Sequence, residues 1–396
     1  MIKNQKMNRK VIDDIYIKHL MRLPLESDIP HIKNEKQLIK SITECEEYVA
    51  LKKKLEYIQD FKYPNIKYRC SVGSSGYAIA AKNNIKYLLG LGFNIMIEIV
   101  SVSGKIDEPN DDERMIYSLS NRKLDYDIVI HHCIPERWMR EKDKKNIGFI
   151  IFEFHTIPSK WMQYISSVDK VFCICQHNMI EAKRKLSVPV LLFRTPIYPI
   201  RRKDHLPNNI IKFYFIGENN RRKAIDELIN IFLELHNMRL YVKTNRFHRD
   251  DWRVKNGIIS HKNITIDIRE LSSKDMENIH YNNDCFISLS RGEACGLPAC
   301  EACVCGNELI LTDCPGHNDY ISLFHRIKTE ESKINMCQCD VNCQDNICKE
   351  YKWLNDDLKW YEPDINSIKE NIMNVYGGKK IGSFLSNHKI EIEKLL

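Results

Sequence analysis

The stretch Cys285 to Ile321, CFISLSRGEACGLPACEACVCGNELILTDCPGHNDYI, decides the fold of this chain. Its first apolar run, Cys285 to Leu289, predicts a short strand that is buried on both faces. A loop follows, and the sequence from Pro298 to about Cys305 predicts a helix, because proline is favoured at the first helical position. The apolar run Glu308 to Thr312 predicts a second strand, and a further helix is expected to begin near Asn318. A strand, a helix and a strand in this order predict a unit of parallel sheet.

Two carboxylates in this stretch, Glu293 and Glu301, are separated by seven residues and are expected to have different surroundings. Glu293 falls at the carboxyl end of a predicted strand, where open parallel sheets bind ligands, and Glu301 falls in the predicted first turn of the helix. Leu297, before that helix, cannot cap its first amides, which leaves the helix start open to an anion such as a phosphate. The alternative is that Glu301 only complements the helix dipole, Glu293 is a solvated loop residue and water caps the helix.

The full stretch resembles the signature of the retaining nucleotide-sugar glycosyltransferases of glycosyltransferase family 4. In that family an apolar strand and a Ser precede E-G-F-G-L-P, a second Glu, a small-residue helix, C-G, a strand ending in T-D, and a Gly followed by an acidic residue and a Tyr. The residues that fall in register are Ser290, Glu293, Gly296, Leu297, Pro298, Glu301, Ala302, Cys305, Gly306, Thr312, Asp313, Gly316, Asp319 and Tyr320. Ala294 and Cys295 depart from the pattern, since the family has Gly and an aromatic residue there.

The resemblance implies an α/β protein of the GT-B fold, with two facing Rossmann-like domains that contain parallel sheets and a site between them. It implies transfer of a sugar from a nucleotide-sugar donor with retention at the anomeric carbon and without a metal. Glu293 would lie by the transferred sugar, and Glu301 would accept hydrogen bonds from the ribose hydroxyls. Cys295, Gly296 and Leu297 would complete the wall of the donor site.

The segment after the predicted strand Phe213 to Ile216 resembles the family's G-R-x4-K motif, whose Arg and Lys clamp the donor diphosphate. Gly217 and Lys223 match this motif. The family's Arg is replaced by Glu218, so a clamp has to use Arg222, or its neighbour Arg221, or be weakened.

Two further positions follow from the resemblance. Leu271, after the predicted strand Ile264 to Ile268, is expected beside the nucleotide base. The sequence KWYEPDINSIKENIMNVY resembles the family's W-x-E-P-D motif, with Asp364 as the cap of the helix that follows.

Earlier in the chain, the predicted strand Ile66 to Val72 ends in the loop G-S-S-G, where the family has a Gly-rich loop near the diphosphate and acceptor. The resemblance assigns Gly73 and Gly76 to that loop, and the alternative is a tight turn without a ligand. His131 and His132 end another predicted strand, at a point where the family often has a His that contacts the sugar. Because side chains alternate along a strand, only one of them is expected to face the cleft; His132 is preferred, and a purely structural His is the alternative.

A further matching segment, from Gly148 to Ile197, is interpreted as scaffold and acceptor-side wall. The matching residues are Glu153, Pro158, Trp161, Asp169 and Pro189. The predicted boundaries are a helical appendage over 1–62, an N-terminal domain over 63–197, a linker over 198–209, a donor-side domain over 210–362, and C-terminal helices over 363–396 that cross back to the N-terminal domain.

The chain has 396 residues, 43% of them hydrophobic, and a formal net charge of +7. This length suffices for two domains and an appendage, and the charge is too small for a typical nucleic-acid binder. Because neither a signal peptide nor a membrane-spanning run is visible, a cytoplasmic protein is expected, with peripheral membrane contact left open. Most of the 15 cysteines are therefore expected to be reduced. Four of them, Cys337, Cys339, Cys343 and Cys348, lie in a polar segment and are loose thiols, an adventitious disulfide or a zinc site.

The expected co-substrate is a UDP- or GDP-sugar, and the expected acceptor is a glycan, a lipid-linked saccharide or a protein. The helical residues 1–62 are interpreted as a module for packing or for docking a partner. Two other functions stay open: a sugar-nucleotide epimerase or hydrolase on the same fold, and a degenerate transferase that acts as a scaffold.

Overall fold

The computed structural model describes residues 40, 64–103, 114, 116, 118–198, 200–207, 209–250, 252–334 and 358–386. The chain divides into two compact units, Met1–Gly148 and Phe149–Leu396. The predicted appendage over 1–62 and the four-cysteine segment fall outside the described residues, apart from Lys40. In the described part of the chain, every helix is too short or too polar to span a bilayer.

The first unit is built on parallel strands. They are β1 (Asn65–Gly73), β2 (Asn94–Ser103), β3 (Ile128–His132) and β4 (Lys145–Ile150). β1 pairs with β2 on one side and β3 on the other, and β3 pairs with β4, all in parallel. Helix α1 (Gly76–Gly90) connects β1 to β2, and the Ser75 side chain caps it by accepting a hydrogen bond from the Ala78 amide at 3.3 Å. The predicted strand Ile66 to Val72 lies within β1 and is confirmed.

The second unit begins with short helices and a parallel pair of strands. These elements are helix α2 (Met162–Ile165), strand β5 (Lys170–Cys173), helix α3 (Gln176–Lys185) and strand β6 (Val190–Leu192).

An eight-stranded sheet forms most of the second unit, in the order β14-β13-β12-β7-β8-β11-β10-β9. Its strands are β7 (Lys212–Ile216), β8 (Arg239–Lys243), β9 (Val254–Lys255), β10 (Ile258–His261), β11 (Ile264–Asp267), β12 (Cys285–Ser288), β13 (Glu308–Thr312) and β14 (His325–Ile327). All neighbours pair in parallel except the edge strands β10 and β9, which are antiparallel. The predicted α/β class with parallel sheets is confirmed.

The helices of this unit cover the sheet, and a small hairpin follows it. The helices are α4 (Ile225–Leu233), α5 (Ser273–Asn282), α6 (Leu297–Cys305), α7 (Pro315–Tyr320) and α8 (Ile365–Tyr376), and the antiparallel hairpin is β15 (Thr329–Lys333) with β16 (Lys359–Pro363). Apolar side chains of α4 and α8 pack with the strands in one core. Asp364 caps α8 as predicted, since its carboxylate accepts a hydrogen bond from the Ser367 amide at 2.6 Å.

Two predicted helix positions are wrong. Helix α7 begins at Pro315 and not near Asn318. Helix α6 begins at Leu297, so Glu301 is its fifth residue and lies in the second turn, beyond the first turn where a carboxylate complements the dipole.

Candidate active site

The candidate site lies where two neighbouring strands of the eight-stranded sheet end. β7 and β12 are parallel partners, with Phe213 opposite Cys285. Because the carboxyl ends of parallel strands meet at one edge, the loop after β7 and the loop after β12 emerge side by side. The first loop carries Lys223 and the second carries Glu293.

Glu293 is the centre of a group of four charged side chains. Lys223 Nζ donates a hydrogen bond to Glu293 Oε1, and Arg222 Nη1 lies 3.4 Å from the same oxygen. Arg222 Nη2 lies 3.5 Å from Glu153 Oε1. Each of these side chains is at most 20% exposed. The structure therefore brings together Lys223, Arg222 and Glu293, which the sequence assigns to the site. Glu153, interpreted as scaffold from the sequence, contacts the same group.

The local backbone explains why both cations face the same carboxylate. Arg221–Lys223 form one 3-10 turn, and Asn220 caps it by accepting a hydrogen bond from the Lys223 amide at 3.1 Å. Ala224 then has a left-handed conformation, with φ of 53°, before α4 starts. This break places Lys223 on the turn before α4, and not in the helix itself.

The pKa of Glu293 is about 2, well below its usual value. Burial by itself would raise the pKa of this carboxyl, but the positive charges of Lys223 and Arg222 outweigh it. Burial lowers the pKa of Lys223, which the contact with Glu293 opposes. Glu293 is therefore an anion at any physiological pH, suited to stabilise a positive charge and unsuited to donate a proton.

Two glycines let the backbone of this loop pack closely. A Cβ at Gly292 would lie 2.0 Å from the carbonyl oxygen of Glu153, and a Cβ at Gly316 would lie 2.3 Å from that of Glu293. The Gly316 amide also donates a hydrogen bond to the Glu293 carbonyl at 3.0 Å. The loop position of Glu293 thus depends on the absence of side chains at both places.

We expect Gly292→Ala to displace the Glu293 loop and to lower the free energy of unfolding by about 2 kcal/mol or more, because the clash is with backbone. Gly90→Ala is the matched control, since a Cβ there meets no atom within 4 Å and the backbone is not left-handed. Thermal unfolding of both variants checks this. An equal melting temperature for the two would contradict the packing described here.

Glu301 lies on α6, and its side chain is 30% exposed. Its Oε2 lies 3.3 Å from Nε2 of the buried His280, on α5. The residue before α6, Gly296, has φ of 73° and gives no side-chain cap, so the expected uncapped helix start is confirmed. Cys295 and Leu297 are buried beside it.

His317, which packs against the same loop, was not identified from the sequence. A Cβ at Gly296 would lie 3.1 Å from its Nε2, and its Nδ1 is 3.0 Å from the Thr312 carbonyl oxygen and 3.3 Å from Cys314 Sγ. Burial would lower the pKa of His317, but Cys314 and Glu293 raise it. His317 follows the carboxyl end of β13, and the rule that ligands bind there would have identified it.

Arg291 is a second residue that the sequence did not identify. Its side chain is buried and binds Glu362 in bidentate fashion, through hydrogen bonds of 2.7 and 2.6 Å, and Glu227 at 2.7 Å. It also donates to the Arg221 carbonyl, and its amide donates to the Arg222 carbonyl at 2.7 Å. Arg291 therefore holds the Glu293 loop to the turn that carries the cations.

Three other residues of the second unit that the sequence singles out make contacts outside the charged group around Glu293. Glu218 accepts hydrogen bonds from Asn245 at 3.3 Å and Asn220 at 3.4 Å. Leu271 lines a cavity of about 1300 Å³ whose walls include neither Glu293 nor Glu301. Asp319 binds Arg194 through two hydrogen bonds of 2.9 and 2.7 Å, which is a structural contact.

Of the four predicted residues of the first unit, the two histidines are buried. His131 and His132 are both 0% exposed; His132 Nδ1 is 2.6 Å from the Tyr68 hydroxyl, and burial lowers its pKa to about 3. Burial also lowers the pKa of His131 to about 4. Gly73 has φ of 110°, and a Cβ there would lie 1.8 Å from the Ser103 carbonyl oxygen, so this position requires glycine for packing. Gly76 begins α1, and a Cβ there would meet no atom within 4 Å. The ligand roles of these four residues stay predictions.

No family model matches the chain, and no curated protein matches it significantly. Among solved structures it is similar to one from E. coli described as trehalose-6-phosphate bound with UDP-2-fluoro glucose, at 11% identity and a TM-score of 0.43 over 64% of this chain and 86% of that chain. It is also similar to WaaG, a glycosyltransferase involved in lipopolysaccharide biosynthesis, at 11% identity and a TM-score of 0.43 over 64% and 82%. A glycosyltransferase from Rickettsia africae matches at 14% identity and a TM-score of 0.42 over 80% and 95%. At these TM-scores the likenesses carry no conclusion about activity, which depends on the site geometry.

Proposed function

We propose that this protein is a glycosyltransferase of the GT-B fold that moves a sugar from a nucleotide-sugar donor to a hydroxyl group of an acceptor, with retention at the anomeric carbon and without a metal. The observation that carries the proposal is the convergence of Lys223 and Arg222 on Glu293 at the carboxyl ends of β7 and β12. The co-substrate is a UDP- or GDP-sugar, and the acceptor is a glycan, a lipid-linked saccharide or a protein.

The roles follow from charge. A nucleoside diphosphate leaves as an anion, which positive charges stabilise. Lys223 and Arg222 supply two such charges, both within 3.4 Å of the Glu293 carboxylate. Glu293, permanently ionised, stabilises the positive charge that develops on the anomeric carbon. Glu301, in the next helix, binds the ribose hydroxyls. The contact with the sugar is assigned to His132, or else His131, by the resemblance alone.

The test is to mix the purified chain with UDP- and GDP-sugars and to measure binding by calorimetry and nucleoside diphosphate release by chromatography. We expect one donor to bind and its turnover to increase when a saccharide acceptor is added. Failure of every donor to bind would overturn the proposal and favour a scaffold. Release of free sugar, or isomerisation of the donor, without dependence on any acceptor would indicate the hydrolase or epimerase instead.

A further inference from the structure

Four buried or half-buried polar side chains form a chain of contacts that ends at Glu301. Asn307 Nδ2 is 2.7 Å from the Tyr214 hydroxyl, and that hydroxyl is 2.8 Å from His280 Nδ1. His280 Nε2 is 3.3 Å from Glu301 Oε2. Tyr214, His280 and Asn307 are each at most 3% exposed. In such a chain of buried polar groups, every donor faces an acceptor only if the protons occupy specific positions.

The contacts determine where each proton lies. Asn307 Nδ2 is also 2.8 Å from the His280 backbone carbonyl, which can only accept, so this atom is the amide nitrogen and it donates in both directions. The Tyr214 oxygen accepts from Asn307, and its one hydrogen is left for His280 Nδ1. Burial raises the pKa of Tyr214 well above its usual value, so the phenol keeps that hydrogen. A neutral His280 that accepts at Nδ1 carries its hydrogen at Nε2.

The acceptor that lies close to the hydrogen at Nε2 is the Glu301 carboxylate. Nε2 is buried and makes no well-aligned hydrogen bond within the described residues, and the Glu301 carboxylate lies next to it. This ion-pair contact is also the one polar contact of that carboxylate in the part of the chain that the structure describes. A small movement of Glu301 would satisfy a buried N–H that is otherwise costly to leave unpaired.

We propose that His280 is a positioning residue for the nucleotide. Asn307 and Tyr214 fix its tautomer, and its Nε2–H holds Oε2 of Glu301, so that Oε1 is presented to the vicinal hydroxyls of the ribose. This inference rests on the proposed function and adds that discrimination between ribose and 2′-deoxyribose depends on a residue that does not touch the nucleotide.

The experiment uses UDP, GDP and their 2′-deoxy forms as probes, with calorimetry on the full chain. We expect the wild type to bind its preferred ribonucleotide about tenfold more tightly than the 2′-deoxy form, as the loss of a hydrogen bond to a charged group implies. His280→Leu should bring that ratio close to one while kcat at saturating donor changes less than about twofold, because the chemistry is not touched. His280→Gln, whose amide can place an N–H at the Nε2 position, should keep most of the ratio.

The outcomes separate the two proposals. Absence of nucleotide binding by the wild type overturns the proposed function, and the inference with it. A wild type that discriminates, with a folded His280→Leu variant that discriminates equally, overturns the inference alone. If His280→Leu does not fold, the ¹⁵N shifts of the His280 ring in the wild type decide, assigned by comparison with His280→Gln: the Nε2–H tautomer supports the inference, and the Nδ1–H tautomer overturns it.

Discussion

Replacing Glu293 by Gln is expected to lower kcat for sugar transfer by about 10²- to 10³-fold, the cost of removing a preorganised charge from a transition state. The same change should not weaken binding of the nucleoside diphosphate, because Lys223 and Arg222 lose a competing carboxylate and stay available to the phosphates. Kinetics at saturating donor and calorimetry with the nucleoside diphosphate measure the two effects separately. Loss of diphosphate binding with unchanged kcat would show that Glu293 has another role.

The variant also tests the electrostatics of the site without any substrate. The pKa of Glu293 is about 2 in the folded protein, against an ordinary value of 4.5. A carboxyl with a lowered pKa adds stability that is fully present above pH 4.5 and is lost as the pH falls toward 2. Glu293→Gln should therefore lower the free energy of unfolding at neutral pH and remove part of its acid sensitivity in that window.

Two variants control for this loss of stability. Glu293→Asp keeps the negative charge and so should preserve stability better than Gln, but it withdraws the carboxylate by one methylene group and should still lower kcat. Glu218→Gln removes an exposed carboxylate that accepts hydrogen bonds from the amides of Asn220 and Asn245, and it should leave kcat within about twofold and stability within about 0.5 kcal/mol. If Glu218→Gln lost as much activity as Glu293→Gln, the catalytic role proposed for Glu293 would be contradicted.

The sequence predicts much of the fold because apolar runs of four or five residues between loops indicate buried strands. The run from Glu308 to Thr312 has the predicted bounds. Glu293 and Lys223 are 70 residues apart, and their meeting follows from the rule that parallel strands present their carboxyl ends together. That rule locates loops, and it does not give the direction of a side chain.

What the sequence does not predict depends on weak local signals or on tertiary contacts. Strand β9 has two exposed residues and therefore no hydrophobic pattern, although Asn256 and Gly257, with φ of 52° and 74°, form the turn that the dipeptide Asn-Gly favours in hairpins. The partners of Arg291 and His280 lie on separate elements that only the folded sheet brings together. Arg222 is similar, since the 3-10 turn Arg221–Lys223 brings its guanidinium to 3.4 Å from the Glu293 carboxylate.

Replacing Arg291 by Met is expected to lower the free energy of unfolding of the second unit by about 3 kcal/mol, because it leaves a cluster of carboxylates and a carbonyl without their shared cation. The Arg291 side chain is 7% exposed, whereas those of Glu227 and Glu362 are 43% and 42% exposed. Because water can solvate the two carboxylates after the substitution, the expected loss in free energy of unfolding lies at the low end of the range for broken buried ion pairs. Urea unfolding followed by tryptophan fluorescence is a suitable measurement, since Trp360 lies 5.5 Å from the guanidinium carbon.

Two further substitutions separate geometry from charge at this position. Arg291→Lys keeps the charge but cannot bind Glu362 through two parallel hydrogen bonds, so it should recover only part of the stability. Arg326→Met removes a cation from an ion pair with Asp313 in which both side chains are more than a third exposed, and it should cost less than about 1 kcal/mol. Because the Arg291 side chain also donates a hydrogen bond to the Arg221 carbonyl, the loop that carries Glu293 should loosen in Arg291→Met, and kcat should fall even where the protein is folded. Equal stability of Arg291→Met and Arg326→Met would mean that the site does not depend on this cation for its shape.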